Sequence, residues 1–252
     1  MPKNETNTIQ ISNLSVCYQG MMALNNISLT IPAGKITGII GPNGAGKSTF
    51  LKGMLGLVQA DSSSIKIGSS NLKEEKKRIA YVEQRSLLDL SFPINVLEVV
   101  LLGSYPKLGL LKRPSKQEKS EALNALETVQ LADFEKRQIG ELSGGQLQRV
   151  FIARVLMQNA DIIILDEPFV GIDMTSEKVI IDILKQLRDR GKTIIIVHHD
   201  LHKVSYYFDE LIILNKELIA NGPVSTTFTN RNIQEAYGDS MGDIIIKGVA
   251  DA

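Results

Sequence analysis

The feature that most constrains this chain is a glycine-rich segment between a strand pattern and a helix pattern. Its residues have the spacing G-x-x-x-x-G-K-[ST] and are Gly41, Pro42, Asn43, Gly44, Ala45, Gly46, Lys47, Ser48 and Thr49. The apolar run Ile36–Ile40 precedes the segment, and Lys47–Leu57 has the pattern of a helix. Glycines here permit a tight turn whose N–H groups point inward, at a helix N-terminus that favours anions. The segment therefore predicts an α/β fold with a phosphate-binding loop, which we call the phosphate loop (Gly41–Thr49).

Strand and helix patterns alternate along most of the chain. Asp161–Leu165 and Thr193–Val197 are short apolar runs, typical of buried parallel strands. Between them, Val179–Leu187 has an apolar helical face, and Gly191 is expected to end that helix. A helix start is also predicted at Pro114–Ser115, within a mostly helical middle segment. We predict a mainly parallel sheet flanked by helices, an antiparallel β element near the N-terminus and an inserted helical subdomain.

Composition excludes several classes of protein. The chain has 252 residues, enough to bury a large core, and its 28 Lys+Arg balance its 28 Asp+Glu. That balance leaves no global positive field for nucleic acid. The single cysteine, Cys17, cannot form an internal disulfide, which favours a reducing compartment. Residues 1–10 are polar and no apolar run approaches the ~20 residues of a membrane span, so we expect membrane contact only through a partner.

Two acids end the predicted strand over residues 161–165. Asp166 and Glu167 follow four apolar residues directly, as in a Walker B strand. A carboxylate at such a strand end can bind Mg²⁺, and a second one can polarise an attacking water as a general base. A strand that simply ends in solvated acids is the alternative, and the phosphate loop makes the functional interpretation the stronger one.

A third motif, Leu142–Gln146, has the sequence LSGGQ. Ser143 is a good N-cap, and a helix is predicted over Leu147–Met157. The paired glycines allow the backbone to approach a ligand closely, at a helix N-terminus that could face an anion. An ordinary capped helix explains Ser143 but does not explain the two glycines. We call Ser143–Gln146 the signature segment.

With these three motifs in one chain, the sequence resembles the ABC-type ATPases. Four further positions fall in the family's order: Tyr18 at the A-loop, Gln84 at the Q-loop, Gly171–Asp173 at the D-loop and His199 at the switch histidine. The resemblance covers the chain from about residue 9 to residue 238. It includes one copy of each motif, so a single cassette is expected.

The resemblance implies a role for each site residue. Those implied for ATP binding are Tyr18, Gly41, Pro42, Asn43, Gly44, Ala45, Gly46, Lys47, Ser48, Thr49, Ser143, Gly144, Gly145 and Gln146. Those implied for the Mg²⁺ of MgATP are Ser48, Gln84 and Asp166. Glu167 is expected to position the attacking water, and His199 is expected to sense the γ-phosphate.

The resemblance also implies a domain division and an assembly. Residues 1–84 and 160–252 are expected to form a RecA-like core with a β subdomain, and residues 85–159 a helical signature subdomain. Two copies are expected to form a head-to-tail dimer, with ATP between the phosphate loop of one copy and the signature segment of the other. The expected partners are an integral membrane permease and, indirectly, an extracellular metal-binding protein, with no nucleic acid. The expected location is the cytoplasmic face of the membrane.

Within the superfamily, the chain is similar to bacterial manganese/zinc-type importers. Leu165–Asp173 and Val99–Tyr105 carry that likeness, and Val197–Asn215 resembles the manganese importers of Gram-positive bacteria. The likeness implies ATP hydrolysis that powers import of a divalent transition metal, with manganese expected first. A zinc or iron importer ATPase and a soluble ABC ATPase outside transport stay open as alternatives.

Two hypotheses concern residues outside these motifs. His198 and His202 have i, i+4 spacing and could chelate a metal, although a strand–helix junction is predicted between them. Leu88, Leu90 and Phe92 follow the Q-loop position and are apolar in a segment expected to be a surface connection. We expect them to contribute to the surface that docks the permease.

Overall fold

The computed structural model describes residues 7–61, 64–84, 90–108 and 112–238. The chain divides into two compact units. Unit 1 consists of residues 1–76 and 188–252, and unit 2 of residues 77–187. Each unit is built from its own strands and helices and is described separately below.

These compact units and the predicted domains divide the chain at different places. Residues 77–84 and 160–187, which the resemblance assigns to the core, lie in unit 2. The local reason is that the strand Ile79–Val82 pairs in parallel with the strand Ile162–Asp166. The helix before the second strand is also tied to the first, because Nε2 of Gln158 donates to the carbonyl oxygen of Ile79 at 2.7 Å.

An antiparallel sheet forms the N-terminal part of unit 1, as predicted. Its strands, in the order β2-β1-β4-β5, are β1 (Ile9–Tyr18), β2 (Met21–Ile31), β4 (Ser64–Ile67) and β5 (Ser70–Asn71). Tyr18 pairs with Met21, which leaves a two-residue turn between β1 and β2. Gln19 and Gly20 in that turn have φ of 49° and 81°. Positive φ at both positions matches the twist of a hairpin and explains why the chain reverses here.

Unit 1 also contains a group of strands around the phosphate loop. They are β3 (Ile36–Ile40), β8 (Thr193–Val197), β9 (Glu210–Asn215) and β10 (Glu217–Pro223), in the order β10-β9-β3-β8. β3 pairs in parallel with both β8 and β9, and β10 is antiparallel to β9. Every residue of β3 and β8 is buried, as expected for strands covered on both faces.

The helices of unit 1 are short. They are α1 (Lys47–Met54), α2 (Leu72–Glu75), α8 (Val204–Tyr207), α9 (Val224–Thr227) and α10 (Asn230–Tyr237), with a 3₁₀ turn at Leu201–Lys203. α1 ends before the predicted Leu57, because Gly56 turns into the left-handed region with φ of 65°. The N–H of Leu57 then donates to the carbonyl of Lys52 at 2.8 Å, which closes the helix in a Schellman-type bond.

Unit 2 combines one parallel strand pair with most of the long helices. Its elements are β6 (Ile79–Val82), β7 (Ile162–Asp166), α3 (Val96–Leu101), α4 (Tyr105–Leu108), α5 (Lys116–Thr128), α6 (Gly144–Gln158) and α7 (Met174–Asp189), with 3₁₀ turns at Leu102–Ser104, Ala132–Phe134 and Ile139–Glu141. α6 packs against α3 and α5 and is buried along most of its length. In the part of the chain that the structure describes, no helix is both long and apolar enough to cross a bilayer.

Candidate functional site

The phosphate loop requires glycine at two positions. Gly41 and Gly46 have φ of 155° and 87°. A Cβ on Gly41 would overlap the carbonyl oxygen of Leu214, and one on Gly46 would lie 2.5 Å from Cδ2 of Leu24. Only glycine combines such backbone angles with such close packing. The loop therefore has the tight backbone that a phosphate cradle needs.

Lys47 is buried, and its ammonium group lies over the loop. Its Nζ donates to the carbonyl oxygens of Gly41 at 2.8 Å and Pro42 at 2.9 Å. No side chain among the described residues caps the N-terminus of α1 at Gly46. The positive end of the helix dipole and the ammonium group therefore act on the same loop, which gives it a potential suited to phosphate oxygens.

The turn between β9 and β10 anchors the loop from the side. The N–H of Lys216 donates to the carbonyl of Ala45 at 2.9 Å, and the carbonyl of Lys216 accepts from the N–H of Asn25 at 2.8 Å. The N–H of Ala45 also donates to the carbonyl of Pro42 at 3.1 Å. These bonds fix the loop backbone in place, so a ligand meets a preformed site.

In unit 2, the Q-loop glutamine contacts the second acid of the β7 pair. Nε2 of Gln84 donates to Oε2 of Glu167 at 2.8 Å. Asp166 is the buried last residue of β7, and Glu167 has φ of 51°, a left-handed angle that strains a residue other than glycine. The strained turn places the two carboxylates in different surroundings. Such a difference is what a division between metal binding and water activation requires.

A tyrosine that sequence reasoning missed lies beside these acids. Burial raises the pKa of the Tyr81 hydroxyl, and the charges of Asp166 and Glu83 raise it further. Tyr81 belongs to β6, and its backbone carbonyl accepts from the half-buried guanidinium of Arg154 at 3.2 Å. A polar residue within an otherwise apolar strand next to the acid-bearing strand is the signal that would have found it.

The signature segment is the capped N-terminus of α6. The N–H of Gln146 donates to Oγ of Ser143 at 3.2 Å, and the N–H of Ser143 donates to Oε1 of Gln146 at 2.9 Å. This capping box confirms the predicted N-cap and starts the helix at Gly144, three residues before the predicted Leu147. Gly144 and Gly145 are thus the first turn of the helix rather than part of a loop.

The D-loop position caps α7 and contacts the signature segment. Asp173 accepts from the N–H of Ser176 at Oδ1 and from its hydroxyl at Oδ2, both at 2.8 Å. A Cβ on Gly145 would overlap Oγ of Ser176 and lie 2.6 Å from Oδ2 of Asp173. The space that glycine leaves at this position is therefore filled by the same chain.

The histidines divide between core and surface. His198 is buried, with its ring 5.8 Å from the ring of Tyr207 and 5.7 Å from that of Phe208. His199 follows β8 and is exposed. Among the described residues there is no group of three His, Cys, Asp or Glu side chains able to hold a metal ion, so the chelate considered for His198 and His202, and held the weaker interpretation, finds no support.

Two predictions concern apolar residues expected at the surface. Tyr18, at the end of β1, is 43% exposed, as a base-stacking platform would need to be. Phe92 is 61% exposed and Leu90 is half-buried, while Leu88 lies outside the described residues. The base contact and the docking surface stay predictions.

The predicted site residues are divided between the units. Unit 1 contains Tyr18, the phosphate loop and His199, and unit 2 contains Gln84, the signature segment, Asp166 and Glu167. Within unit 1, the loop residues form one cradle. Within unit 2, Gln84 and Glu167 are in contact and the signature segment adjoins the D-loop position.

A family model described as "ABC transporter" matches residues 24–170, more than half of the chain. The chain belongs to the ABC transporter family. It is an ATPase of a transport system, and its α/β fold is that of the nucleotide-binding domains of ABC transporters. The predicted family, fold class and enzyme class are confirmed.

Three similar proteins extend this result. The manganese transport system ATP-binding protein MntB of Listeria monocytogenes is 59% identical over 92% of this chain and 97% of its own length. The zinc transport system ATP-binding protein TroB of Treponema pallidum is 47% identical over 94% of this chain and 89% of its own. A dimeric post-hydrolysis structure of an ATP-binding cassette, bound to ADP and Pi, is 29% identical with a TM-score of 0.72, over 86% of this chain and 98% of that one.

Proposed function

We propose that this chain is the ATP-hydrolysing subunit of an importer of a divalent transition metal, and that the metal is manganese. The observation that carries the proposal is the 59% identity, over 92% of the chain, to an ATP-binding protein named for manganese transport. Zinc is the alternative cargo, because a zinc transport relative is 47% identical over a similar length.

In unit 1, the phosphate loop binds the phosphates of ATP. Its backbone angles, the uncapped start of α1 and the ammonium of Lys47 support this role. Tyr18 stacks on the adenine base, a contact of about 1–3 kcal/mol per stacked base. His199 responds to the γ-phosphate, and its exposure after β8 leaves the ring accessible.

In unit 2, Glu167 acts as the general base that polarises the attacking water. Gln84 donates to its carboxylate and so orients it. The donor chemistry fits magnesium, since Gln84 and Asp166 in this unit would offer amide and carboxylate oxygens, and Ser48 in unit 1 would offer a hydroxyl oxygen, all of the ligand type that Mg²⁺ prefers. When bound, Mg²⁺ neutralises phosphate charge.

The chain works as a homodimer on a membrane permease. The dimeric cassette bound to ADP and Pi supports the dimer, and the names of the transport relatives support the permease. The signature segment of one copy contacts the ATP held by the other. Residues near Phe92 dock the permease at the cytoplasmic face of the membrane, and an extracellular metal-binding protein delivers the cargo to that permease.

Metal uptake in cells that lack the native gene tests the proposal. Cells carrying the wild-type chain should accumulate manganese from dilute medium, and cells carrying Lys47→Ala should not. Cellular manganese, zinc and iron are measured together by mass spectrometry. Restoration of zinc or iron without manganese would reassign the cargo, and restoration of no metal would refute the transport role.

A further inference from the structure

The second glycine of the signature segment packs against the first turn of α7. A Cβ on Gly145 would overlap Oγ of Ser176 and lie 2.7 Å from its Cβ. It would also lie 2.6 Å from Oδ2 of Asp173. Real side chains do not tolerate such distances, so α6 approaches α7 this closely only because residue 145 has no side chain.

Hydrogen bonds hold the two residues that Gly145 packs against. Asp173 holds Ser176 through two bonds of 2.8 Å, one from the N–H and one from the hydroxyl. These bonds lower the pKa of the Asp173 carboxyl below its usual value. Asp173 also acts electrostatically on Arg149 of α6, whose guanidinium donates to the carbonyl of Val129 at 3.0 Å. The contact is therefore supported from both helices.

The side chains of the signature segment leave little freedom at the other end of the contact. Ser143 and Gln146 bond to each other's backbone N–H groups in the capping box. These two bonds tie the first turn of α6 together, and the turn packs against the residues behind it. Behind it are the hydroxyl of Ser176 and the carboxylate of Asp173.

We propose that Asp173 and Ser176 are positioning residues for the signature segment, because together they form the surface on which Gly145 sits. This inference rests on the proposed function, in which the signature segment contacts ATP held by a second copy. It predicts that the fit between residues 145 and 176 controls ATP-dependent dimerisation. Binding of ATP to the phosphate loop, which lies in unit 1, should not depend on it.

A second-site rescue in full-length protein tests the fit. All variants carry Glu167→Gln, so that bound ATP persists, and dimers are measured by sedimentation at increasing ATP. Gly145→Ala should raise the ATP concentration for half-maximal dimerisation roughly tenfold or more. Adding Ser176→Gly removes the overlapping Oγ and Cβ. It also removes the hydroxyl bond that holds Oδ2 of Asp173, so this exposed carboxylate can turn away from residue 145. The concentration should therefore return to within about threefold of the parent.

Thr175→Gly is the matched control. Thr175 is exposed in the same turn of α7, so it carries the same helix cost of glycine without making room for residue 145. It should not rescue Gly145→Ala. Affinity for a fluorescent ATP analogue should be equal in the Ser176→Gly and Thr175→Gly variants, and the circular dichroism of Gly145→Ala should match that of the parent, which separates a positioning role from general loss of folded protein.

Two results would overturn the inference: normal dimerisation by Gly145→Ala, or equal rescue by Ser176→Gly and Thr175→Gly. If Gly145→Ala does not fold, Ser176→Ala decides, since it removes only the hydroxyl bond to Asp173. It should weaken dimerisation about threefold while the unfolding temperature stays within a few degrees of the parent, and unchanged dimerisation would count against the inference. If the proposed function is wrong, the Glu167→Gln parent will already fail to dimerise with ATP, before any variant at residue 145 or 176 is compared.

Discussion

Two glycine-bearing helix N-termini in this chain are built in opposite ways. α1 begins after Gly46, which has a left-handed backbone, and no described side chain caps it. α6 begins after Ser143, which forms a full capping box with Gln146. Both helices begin within segments that the sequence marks as nucleotide contacts. They differ in whether a capping side chain of the protein already accepts a hydrogen bond from an N–H group of the first turn.

Because of this difference, the N-termini of α1 and α6 are suited to different functions. An uncapped N-terminus with an ammonium group above it is suited to bind anionic oxygens directly. A capped N-terminus has used its side-chain oxygens on its own N–H groups, so it contributes mainly through where its backbone sits. Substitutions near α1 should therefore change nucleotide affinity, whereas substitutions near α6 should change assembly.

The largest effect should come from a residue that belongs to neither helix end. Glu167→Gln removes the proposed general base but keeps a side chain of the same size beside Gln84. Hydrolysis should fall roughly 10²–10⁴-fold while ATP still binds, and the ATP-bound dimer should accumulate. Phosphate release and sedimentation measure the two effects. Near-normal hydrolysis would remove Glu167 from this role.

A mixture of two inactive variants tests the separate functions of the phosphate loop and the signature segment. Lys47→Ala damages the phosphate loop, and Ser143→Arg damages the signature segment. Each variant alone should lose ATP-dependent dimerisation, but in the mixture a heterodimer has one intact site. About half of the randomly formed dimers are of that kind, so part of the dimerisation should return. A mixture that behaves as the average of its parents would contradict the head-to-tail arrangement.

Two glycines in unit 1 test whether close packing, in addition to backbone angle, requires glycine in the phosphate loop. Gly46 and Gly20 have similar φ, 87° and 81°, but only Gly46 has neighbours that a Cβ would meet, Leu24 among them. Gly20→Ala should cost about 1–2 kcal/mol of unfolding free energy, from its backbone angle alone. Gly46→Ala should cost more and should also weaken ATP binding. Denaturant unfolding and nucleotide titration measure both, and equal costs at the two sites would refute the packing argument.

Local signals made much of this structure predictable. The strands Ile36–Ile40 and Thr193–Val197 have the bounds that their apolar runs predict. The helix start predicted at Pro114–Ser115 is confirmed, with Ser115 and Glu118 forming a capping box. In each case a few neighbouring residues contain the whole signal, because the pattern and the cap are both properties of a short stretch of chain.

Contacts between residues far apart along the chain could not be predicted from the sequence. The LSGGQ motif indicates that residue 145 must be glycine, but it does not show that Ser176 fills the space, since 31 positions separate them. Likewise, the spacing of Gln84 and Glu167 gives no sign that they share a hydrogen bond. The division into units also follows from tertiary packing, here the pairing of β6 with β7, which no local pattern specifies.

The smallest expected effect is a pH dependence of the unfolding free energy. It arises from Asp173 and Ser176, which pack against the first turn of α6. The N–H of Ser176, and then its hydroxyl, lower the pKa of the Asp173 carboxyl. A carboxyl whose pKa is lowered by folding adds stability above its unfolded pKa of about 3.9, and that stability is lost as the pH falls through the folded value. The unfolding free energy of wild type should therefore exceed that of Asp173→Asn most clearly above about pH 5, and the gap should shrink below about pH 4.

The gap in unfolding free energy between wild type and Asp173→Asn should be small, because the Asp173 side chain is exposed and solvent screens its charge. In a Ser176→Ala background the gap should narrow without vanishing, since the N–H donor is kept. A gap of equal size at pH 3 and pH 7 would show that the charge of Asp173 does not support the signature segment.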